Sequence, residues 1–464
     1  MLDRLTSVLA RHPEVNDWTV RRRRSRSVQL YLIGTAVESV REVSTEEYEL
    51  DVFNDHPYPA QQLDLPGPIQ NPGARASGRS KIENQHARGV ATVKLVLADR
   101  DRLQQRIDDA VLMARLVHNP PHPLPEPAAY PQLDLTDPLL ATSADATRAA
   151  YAFADELWGL VDRQRPGGVR LSAAELFLTS TELELHNSRG IQIGTSVTRV
   201  MVELALLARA GADEAEHFRQ IEARRLADLR LPDQVAEAAA FARDTLRARP
   251  PQTRAGPVVL SGDALIPVFE PFVFHASASA AYMKLASLEI GQSVCGDRAV
   301  AGDRLTLRTN ALRPFALGSH SFDGDGVPGQ DVLLIADGVL RARHATQRYA
   351  HYLGIPATGQ PGTTEIAGGA TPLADLLGGD EPVYRVVTFS APDVDPVTGD
   401  FGCEIRLGYE VAGGEARPIK GGSVSGNAFE AFANARFSRE LLDRGEYAGP
   451  HAVRFASLRV AGEG

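Results

Sequence analysis

The sequence predicts an α+β protein in two parts, residues 1–250 and residues 251–464. Segments near the start alternate polar and apolar residues, as half-buried strands do, and they are followed by segments with apolar residues at helical spacing. We therefore expect helices packed on an antiparallel sheet in the first part. The second part has short apolar runs separated by glycine-rich connections, which predicts a mostly-β domain.

The first elements follow from these periodicities. Residues 27–34, 48–53 and 88–97 alternate as strands do, and residues 37–43 offer a pairing partner. Residues 99–117 are predicted to form a helix, because their apolar residues fall on one stripe that needs a sheet to cover. The stripe comprises Leu103, Ile107, Ala110, Val111 and Ala114.

Proline and glycine punctuate the N-terminal part. Residues 66–80 are rich in proline, glycine, asparagine and serine, which predicts a flexible loop. Residues 118–131 contain six prolines and are predicted to form a stiff connector. The run Arg-Pro-Pro-Gln at residues 249–252 is the predicted boundary between the two domains.

The segment between the connector and the boundary predicts a helix, a strand meander and two more helices. The helices are predicted at residues 146–162, 213–229 and 233–248, and the strands at residues 169–177, 181–186 and 191–204. On the helix at residues 213–229, His217 and Glu222 are expected to lie on a charged, solvated face.

Composition excludes several classes of protein. The formal net charge of -10 makes general nucleic-acid binding unfavourable. No apolar stretch approaches the ~20 residues needed to cross a bilayer, and the N-terminus lacks the pattern of a secretory signal. Only two cysteines occur, Cys295 and Cys403, which favours a reducing compartment. A cytoplasmic protein without a membrane or nucleic-acid partner is therefore expected.

The histidines lack the spacing of the common zinc-binding motifs. Neither HExxH nor HExxxH occurs, and the nearest segment, FEPFVFH at residues 269–275, has one glutamate and one histidine. Glu270 and His275 are the candidate catalytic residues, and a shifted metal set could add His320. The alternative is a buried apolar segment with one satisfied polar residue, because Pro271 disfavours a helix interior there.

Three other polar patterns have plainer interpretations. His344 and His351 would share a face two turns apart if their segment were helical, which is too far for one ion. The run SFDGDGVP at residues 321–328 lacks the late glutamate of a calcium loop and predicts a glycine turn. The arginines at residues 21–24 are expected to form a solvated, protective strand edge.

Four segments in order resemble the TldD/PmbA family of bacterial and archaeal metallopeptidases. They are LHNSRG at residues 185–190, residues 319–340 with the acidic DGDGVP turn, RYAHYLGIPATG at residues 348–359, and residues 398–427 from TGDF to SGN. The resemblance covers nearly the whole chain. It implies substrate-binding roles for Asp323, Asp325, Gly326 and Asn427, and a dimer formed through the C-terminal half.

The chain departs from the catalytic branch of that family, in which HExxxH and a C-terminal cysteine bind zinc. Phe269, Glu270 and Phe274 follow the strand at residues 257–260 instead, and no cysteine follows Cys403. The resemblance therefore implies a TldE/PmbA-like, non-catalytic subunit without a cofactor of its own, whose TldD-like partner brings zinc to cleave unfolded peptides. The alternative is a metal-independent enzyme or a small-molecule or peptide binder that reuses the fold as a homodimer.

Overall fold

The structure is a computed structural model that describes residues 1–57, 86–379 and 381–462. The loop predicted at residues 66–80 lies outside the described residues. Within them, the chain forms one helix-covered antiparallel sheet followed by two further sheets, which confirms the predicted α+β class. None of the described helices combines the length and the apolar character needed to cross a membrane.

Six long strands form the N-terminal sheet. They are β1 (Asp17–Ile33), β2 (Ala36–Pro57), β3 (His86–Val96), β4 (Val169–Asn187), β5 (Gln192–Ala210) and β6 (Asp213–Ala223). Their order is β3-β2-β1-β4-β5-β6, and every pair is antiparallel. The sheet therefore has two edges, β3 and β6.

In the described part of the chain, four helices cover this sheet: α1 (Leu2–Arg11), α2 (Leu103–Ala114), α3 (Ser143–Asp162) and α4 (Leu231–Arg247). The predicted stripe of α2 is buried, with Ile107 and Ala110 fully covered in a core shared with β2 and β3. A second core lies between α3, α4 and the strands β1, β4 and β5. Burial of these apolar faces is the main stabilising contribution to the layer.

Several predictions in this region were wrong, including the separate strands at residues 37–43 and 48–53, which are one strand, β2. Residues 213–223 form β6 rather than a helix, because His217 and Arg219 occupy buried positions and hide the two-residue alternation. The two strands predicted at residues 169–177 and 181–186 are one strand, β4. The arginines at residues 21–24 lie on β1, which is an interior strand paired on both sides, so they guard no edge.

Thirteen strands follow in the C-terminal part. They are β7 (Arg254–Ser261), β8 (Leu307–Asn310), β9 (Asp331–Ala336), β10 (Val339–Leu340), β11 (Thr363–Ile366), β12 (Val383–Phe389), β13 (Asp400–Ala412), β14 (Glu415–Ile419), β15 (Ser423–Asn427), β16 (Arg436–Phe437), β17 (Leu441–Arg444), β18 (Tyr447–Pro450) and β19 (Ala452–Ala461). The predicted boundary at residues 249–252 falls between α4 and β7, and it stays a prediction.

These strands form two sheets around one apolar core. One sheet has the order β10-β9-β8-β11-β18-β17. The other has the order β12-β7-β19-β15-β13-β14, and β12 also pairs with β13, so five strands close into a ring. Short helices fill the connections: α5 (Glu270–His275), α6 (Ala278–Tyr282), α7 (Gln347–Leu353), α8 (Leu373–Leu376) and α9 (Ala428–Ala431).

The proline-rich connector of the first part lies against α7 of the second part. The Tyr352 hydroxyl donates to the Pro120 carbonyl at 2.6 Å, and the Arg348 guanidinium donates to Asn119 Oδ1 at 2.7 Å. Near the end of the same connector, the Tyr130 hydroxyl donates to the Gly326 carbonyl at 3.0 Å. These contacts join the connector to the C-terminal part.

Candidate functional site

The candidate site is a pocket of about 760 Å³ between β6, α5 and the β17–β18 hairpin. It lies where the edge of the N-terminal sheet meets the C-terminal part. The lining residues are Gln220, Ile221 and Glu222 on β6; Asp263, Ile266, Phe269, Glu270, Val273, Phe274 and Ser277 around α5; Arg444, Gly445, Glu446 and Tyr447 on the hairpin; Thr364 on β11; and His344 and Pro396 from loops.

The local sequence of α5 determines which side chains reach the pocket. A single 3₁₀ turn at residues 266–269 leads into the helix, and Pro271 occupies the first turn, where its missing N–H costs nothing. Phe272 and His275 are fully buried in the C-terminal core. Glu270, Val273 and Phe274 lie on the opposite side of this short helix from Phe272 and His275, and they line the pocket.

The floor of the pocket is apolar and rigid. The ring of Phe269 stacks on the ring of Tyr447, with 5.9 Å between their centroids, and meets Phe432 edge-on at 5.3 Å. The Tyr447 hydroxyl donates to the Pro450 carbonyl at 2.9 Å, which anchors the hairpin. Aromatic floors of this kind bind apolar side chains with little loss of conformational entropy.

The rim of the pocket is acidic. Four carboxylates line it, against the single guanidinium of Arg444. Glu222 pairs with Arg199 at 2.5 Å, and Asp263 pairs with Arg444. Partial burial raises the pKa of Glu270, which is an exposed residue of the lining. The pocket therefore combines an apolar floor with a negatively charged rim.

His275, a predicted catalytic residue, faces away from the pocket. Its Nδ1 accepts a hydrogen bond from the Ser287 N–H at 3.0 Å, so Nε2 carries the proton and donates to the Val397 carbonyl at 2.9 Å. Burial lowers its pKa, and the bond to Val397 opposes this shift. Both ring nitrogens are engaged by the protein, which leaves none for a metal ion or a substrate.

The shifted metal set predicted from Glu270, His275 and His320 does not come together. Glu270 lines the pocket, His275 is buried behind it, and the Nδ1 atom of His320 lies 3.0 Å from the Gly318 carbonyl in another loop. Throughout residues 1–57, 86–379 and 381–462, no group of three or more His, Cys, Asp or Glu side chains is arranged to hold a metal ion. The donor set around α5 does not fit zinc.

The acidic turn of residues 323–327 is a structural unit in its own right. Asp323 Oδ1 accepts the N–H groups of Asp325, Gly326 and Val327 at 2.9 to 3.0 Å, and Oδ2 accepts the Gln360 N–H at 3.0 Å. Burial raises the pKa of Asp323. Burial, then the charge of Asp323, raises the pKa of Asp325 to about 6. The turn closes a separate cavity beside β1.

Asn427 lies apart from both the pocket and the acidic turn, at the N-terminus of α9. Its Oδ1 accepts the Glu430 N–H at 3.3 Å, and its Nδ2 donates to the Thr398 carbonyl at 2.9 Å and to Asp400 Oδ1 at 2.8 Å. The predicted site residues therefore do not form one cluster with Glu270. Their substrate-binding roles stay predictions.

Sequence patterns missed most of the pocket. Ile221 and Glu222 were assigned to a helix, although they lie on the edge strand β6. His344 precedes α7, is not on a helix with His351, and places its Nε2 3.3 Å from the Val273 carbonyl. His217 is 3% exposed on β6 and does not face solvent. Arg444 and Glu446 flank a hairpin turn at Gly445, the one local signal that was available.

The fold defines a class of protein that is already known. The structure of TldE from Thermococcus kodakarensis superposes with a TM-score of 0.76 and covers 99% of both chains at 16% identity. At that identity the likeness concerns the fold. Residues 253–462 match the model described as the PmbA/TldA metallopeptidase C-terminal domain.

Two relatives carry peptidase names. "Metalloprotease slr0863" from Synechocystis is 27% identical over 386 residues, which cover 72% of this chain and 75% of that protein. "Metalloprotease PmbA" from Escherichia coli O157:H7 is 25% identical over 255 residues, which cover 53% of this chain and 55% of that protein. The chain thus spans about half the length of that PmbA. Its residues 253–462 match the C-terminal domain model of the PmbA/TldD metallopeptidase family, and the whole chain shares the fold of TldE.

Proposed function

We propose that this chain is the non-catalytic, TldE/PmbA-like subunit of a two-chain zinc peptidase, and that it holds an extended peptide in the pocket beside β6. The observation that carries the proposal is the orientation of α5. This helix presents Phe274, Val273 and Glu270 to the pocket, while its histidine faces the core with both nitrogens engaged. Phenyl and isopropyl groups cannot bind zinc, so hydrolysis would depend on a partner.

The edge strand supports the peptide-holding role. Within the described residues, the backbone of β6 makes hydrogen bonds only with β5, so its outer edge offers unpaired donors and acceptors. Gln220, Ile221 and Glu222 bring that edge to the pocket. An extended peptide could add to the sheet as a further strand and place alternate side chains on the aromatic floor.

The partner in this proposal is a TldD-like subunit that carries HExxxH and supplies zinc to the shared peptide. We expect the two subunits to form a cytoplasmic heterodimer. Co-expression of the full chain with an HExxxH homologue from the same genome tests this. The complex should hydrolyse an unfolded peptide, and replacing the glutamate of the partner's motif by glutamine should abolish the activity.

The full chain purified without the partner tests whether peptide binding and hydrolysis are separate. The full chain alone should bind an unfolded peptide, hold zinc well below one equivalent by elemental analysis, and show no hydrolysis. Phe274→Ala should weaken peptide binding by about tenfold, because an aromatic anchor is lost. Leu116→Ala, at a side chain 77% exposed, is the control. Chelator-sensitive hydrolysis by the chain alone, as a homodimer, would contradict the proposal.

A further inference from the structure

Two carboxylates of the pocket have no partner. Glu222 and Asp263 are paired with arginines, but Glu270 and Glu446 form no ion pair with any residue that the structure describes. Among the residues that the structure describes, Arg444 is the only guanidinium lining the pocket, and it is already held between Asp263 and Glu237. Both residues are exposed, and although the charge of Glu446 acts on Arg224 without an ion pair, both carboxylates are accessible to a cationic ligand.

The surroundings of Glu270 increase the attraction for a cation. Glu270 lines the pocket together with Phe269 and Val273, and partial burial is the only cause of its raised pKa, so no nearby positive charge compensates the lost hydration. A ligand that brings a positive charge into this space restores that compensation. A ligand that brings a negative charge adds repulsion to an already unfavourable environment.

We propose that this pocket selects a basic residue, lysine or arginine, within the extended peptide that the chain holds. The apolar stem of such a side chain matches the floor formed by Phe269, Val273 and Tyr447, and its charged head matches the carboxylates of Glu270 and Glu446. The inference rests on the proposed peptide-holding role, and it adds the substrate class. An uncharged or acidic side chain leaves both carboxylates without a partner.

The test compares three peptides on the full chain by isothermal titration calorimetry. The probes are acetyl-Ser-Val-Thr-Lys-Val-Thr-Ser-amide and the same peptide with norleucine or glutamate in place of lysine. Blocked ends remove terminal charges, so only the central side chain differs. The lysine peptide should bind about fivefold more tightly than the norleucine peptide, and the preference should shrink as salt is added.

Matched variants assign the preference to the carboxylates. Glu270→Gln with Glu446→Gln should bring the lysine and norleucine peptides within about twofold of each other, while the norleucine peptide keeps its wild-type affinity. Each single variant should lose part of the preference, which guards against a misfolded double variant. Glu156→Gln, at an exposed position of α3, is the control and should change nothing.

The outcomes separate the two proposals. Equal binding of all three peptides to the wild-type chain overturns the basic preference and leaves peptide holding in place. A preference for lysine that survives in the double variant also overturns it. Failure of every peptide to bind overturns peptide holding itself, and the basic preference with it.

Discussion

Replacing Arg224 by alanine should loosen the contact between the two parts of the protein more than any exposed substitution. Arg224 follows β6 and is 8% exposed. Its guanidinium donates to the carbonyls of Ala316, Leu317 and Ser319 in the C-terminal part, at 3.3, 2.7 and 3.1 Å, and to the Thr198 carbonyl at 3.2 Å. The side chain thus joins the N-terminal sheet to a loop of the C-terminal part.

The magnitude follows from those bonds. A hydrogen bond from a charged donor contributes about 1.5–3 kcal/mol, and three of them cross to the C-terminal loop. Burial lowers the pKa of Arg224, which shows that desolvation of the guanidinium opposes part of this gain. We expect a net loss of about 3–5 kcal/mol in the free energy that keeps the loop closed.

Native-state hydrogen exchange measures that free energy directly. The amides of Ser319 and His320 donate to Ala316 and Ala311 at 3.1 and 3.0 Å, and their protection should fall in Arg224→Ala. Arg148→Ala, whose side chain is 75% exposed, should change the protection by less than about 0.5 kcal/mol. A change below about 1 kcal/mol for Arg224→Ala would refute the assignment of this side chain as the link.

Two further predictions concern acid stability and backbone strain. Burial lowers the pKa of His217 to about 4, so the unfolded chain binds the extra proton between pH 6.5 and 4, and stability falls there by about 1.4 kcal/mol per pH unit. His217→Leu should reduce the pH dependence of the free energy of unfolding, measured with urea between pH 7 and 5, and leave the contribution of His122, whose pKa burial also lowers to about 4. An unchanged slope would count against it. Gly326→Ala should cost about 2 kcal/mol by thermal unfolding, because φ is +94° and the new Cβ would lie 3.0 Å from Ile191 Cδ1. Gly413→Ala, at φ +58° in open space, should cost about 1 kcal/mol, and equal losses would show that the contact is irrelevant.

Much of the N-terminal layer could be predicted from local patterns. The stripe on α2 and the alternation within β1 and β3 were visible because apolar side chains occupy the buried positions. The pattern failed at β6, where His217 and Arg219 are buried instead. Their burial depends on partners distant in sequence: Arg219 pairs with Glu237 on α4.

The pocket was harder to predict than the fold. Sequence identified Glu270, because it stands beside phenylalanines in the segment nearest to a zinc motif. It also suggested His275, but could not show that the imidazole is held by the Ser287 amide and the Val397 carbonyl. No sequence pattern indicated Glu446, because glutamates beside hairpin turns are common. Only the structure shows that this one lines a pocket.

The order of residues alone determined the α+β class, the family resemblance and the absence of an HExxxH run, since composition, periodicity and motif spacing are properties of the chain itself. Only the tertiary structure decided that β6 is an edge strand, that the histidine of α5 faces the core, and that Glu270 and Glu446 share a pocket. The reason is that burial, charge pairing and the position of a strand in its sheet depend on tertiary contacts between distant segments, which no local sequence pattern specifies.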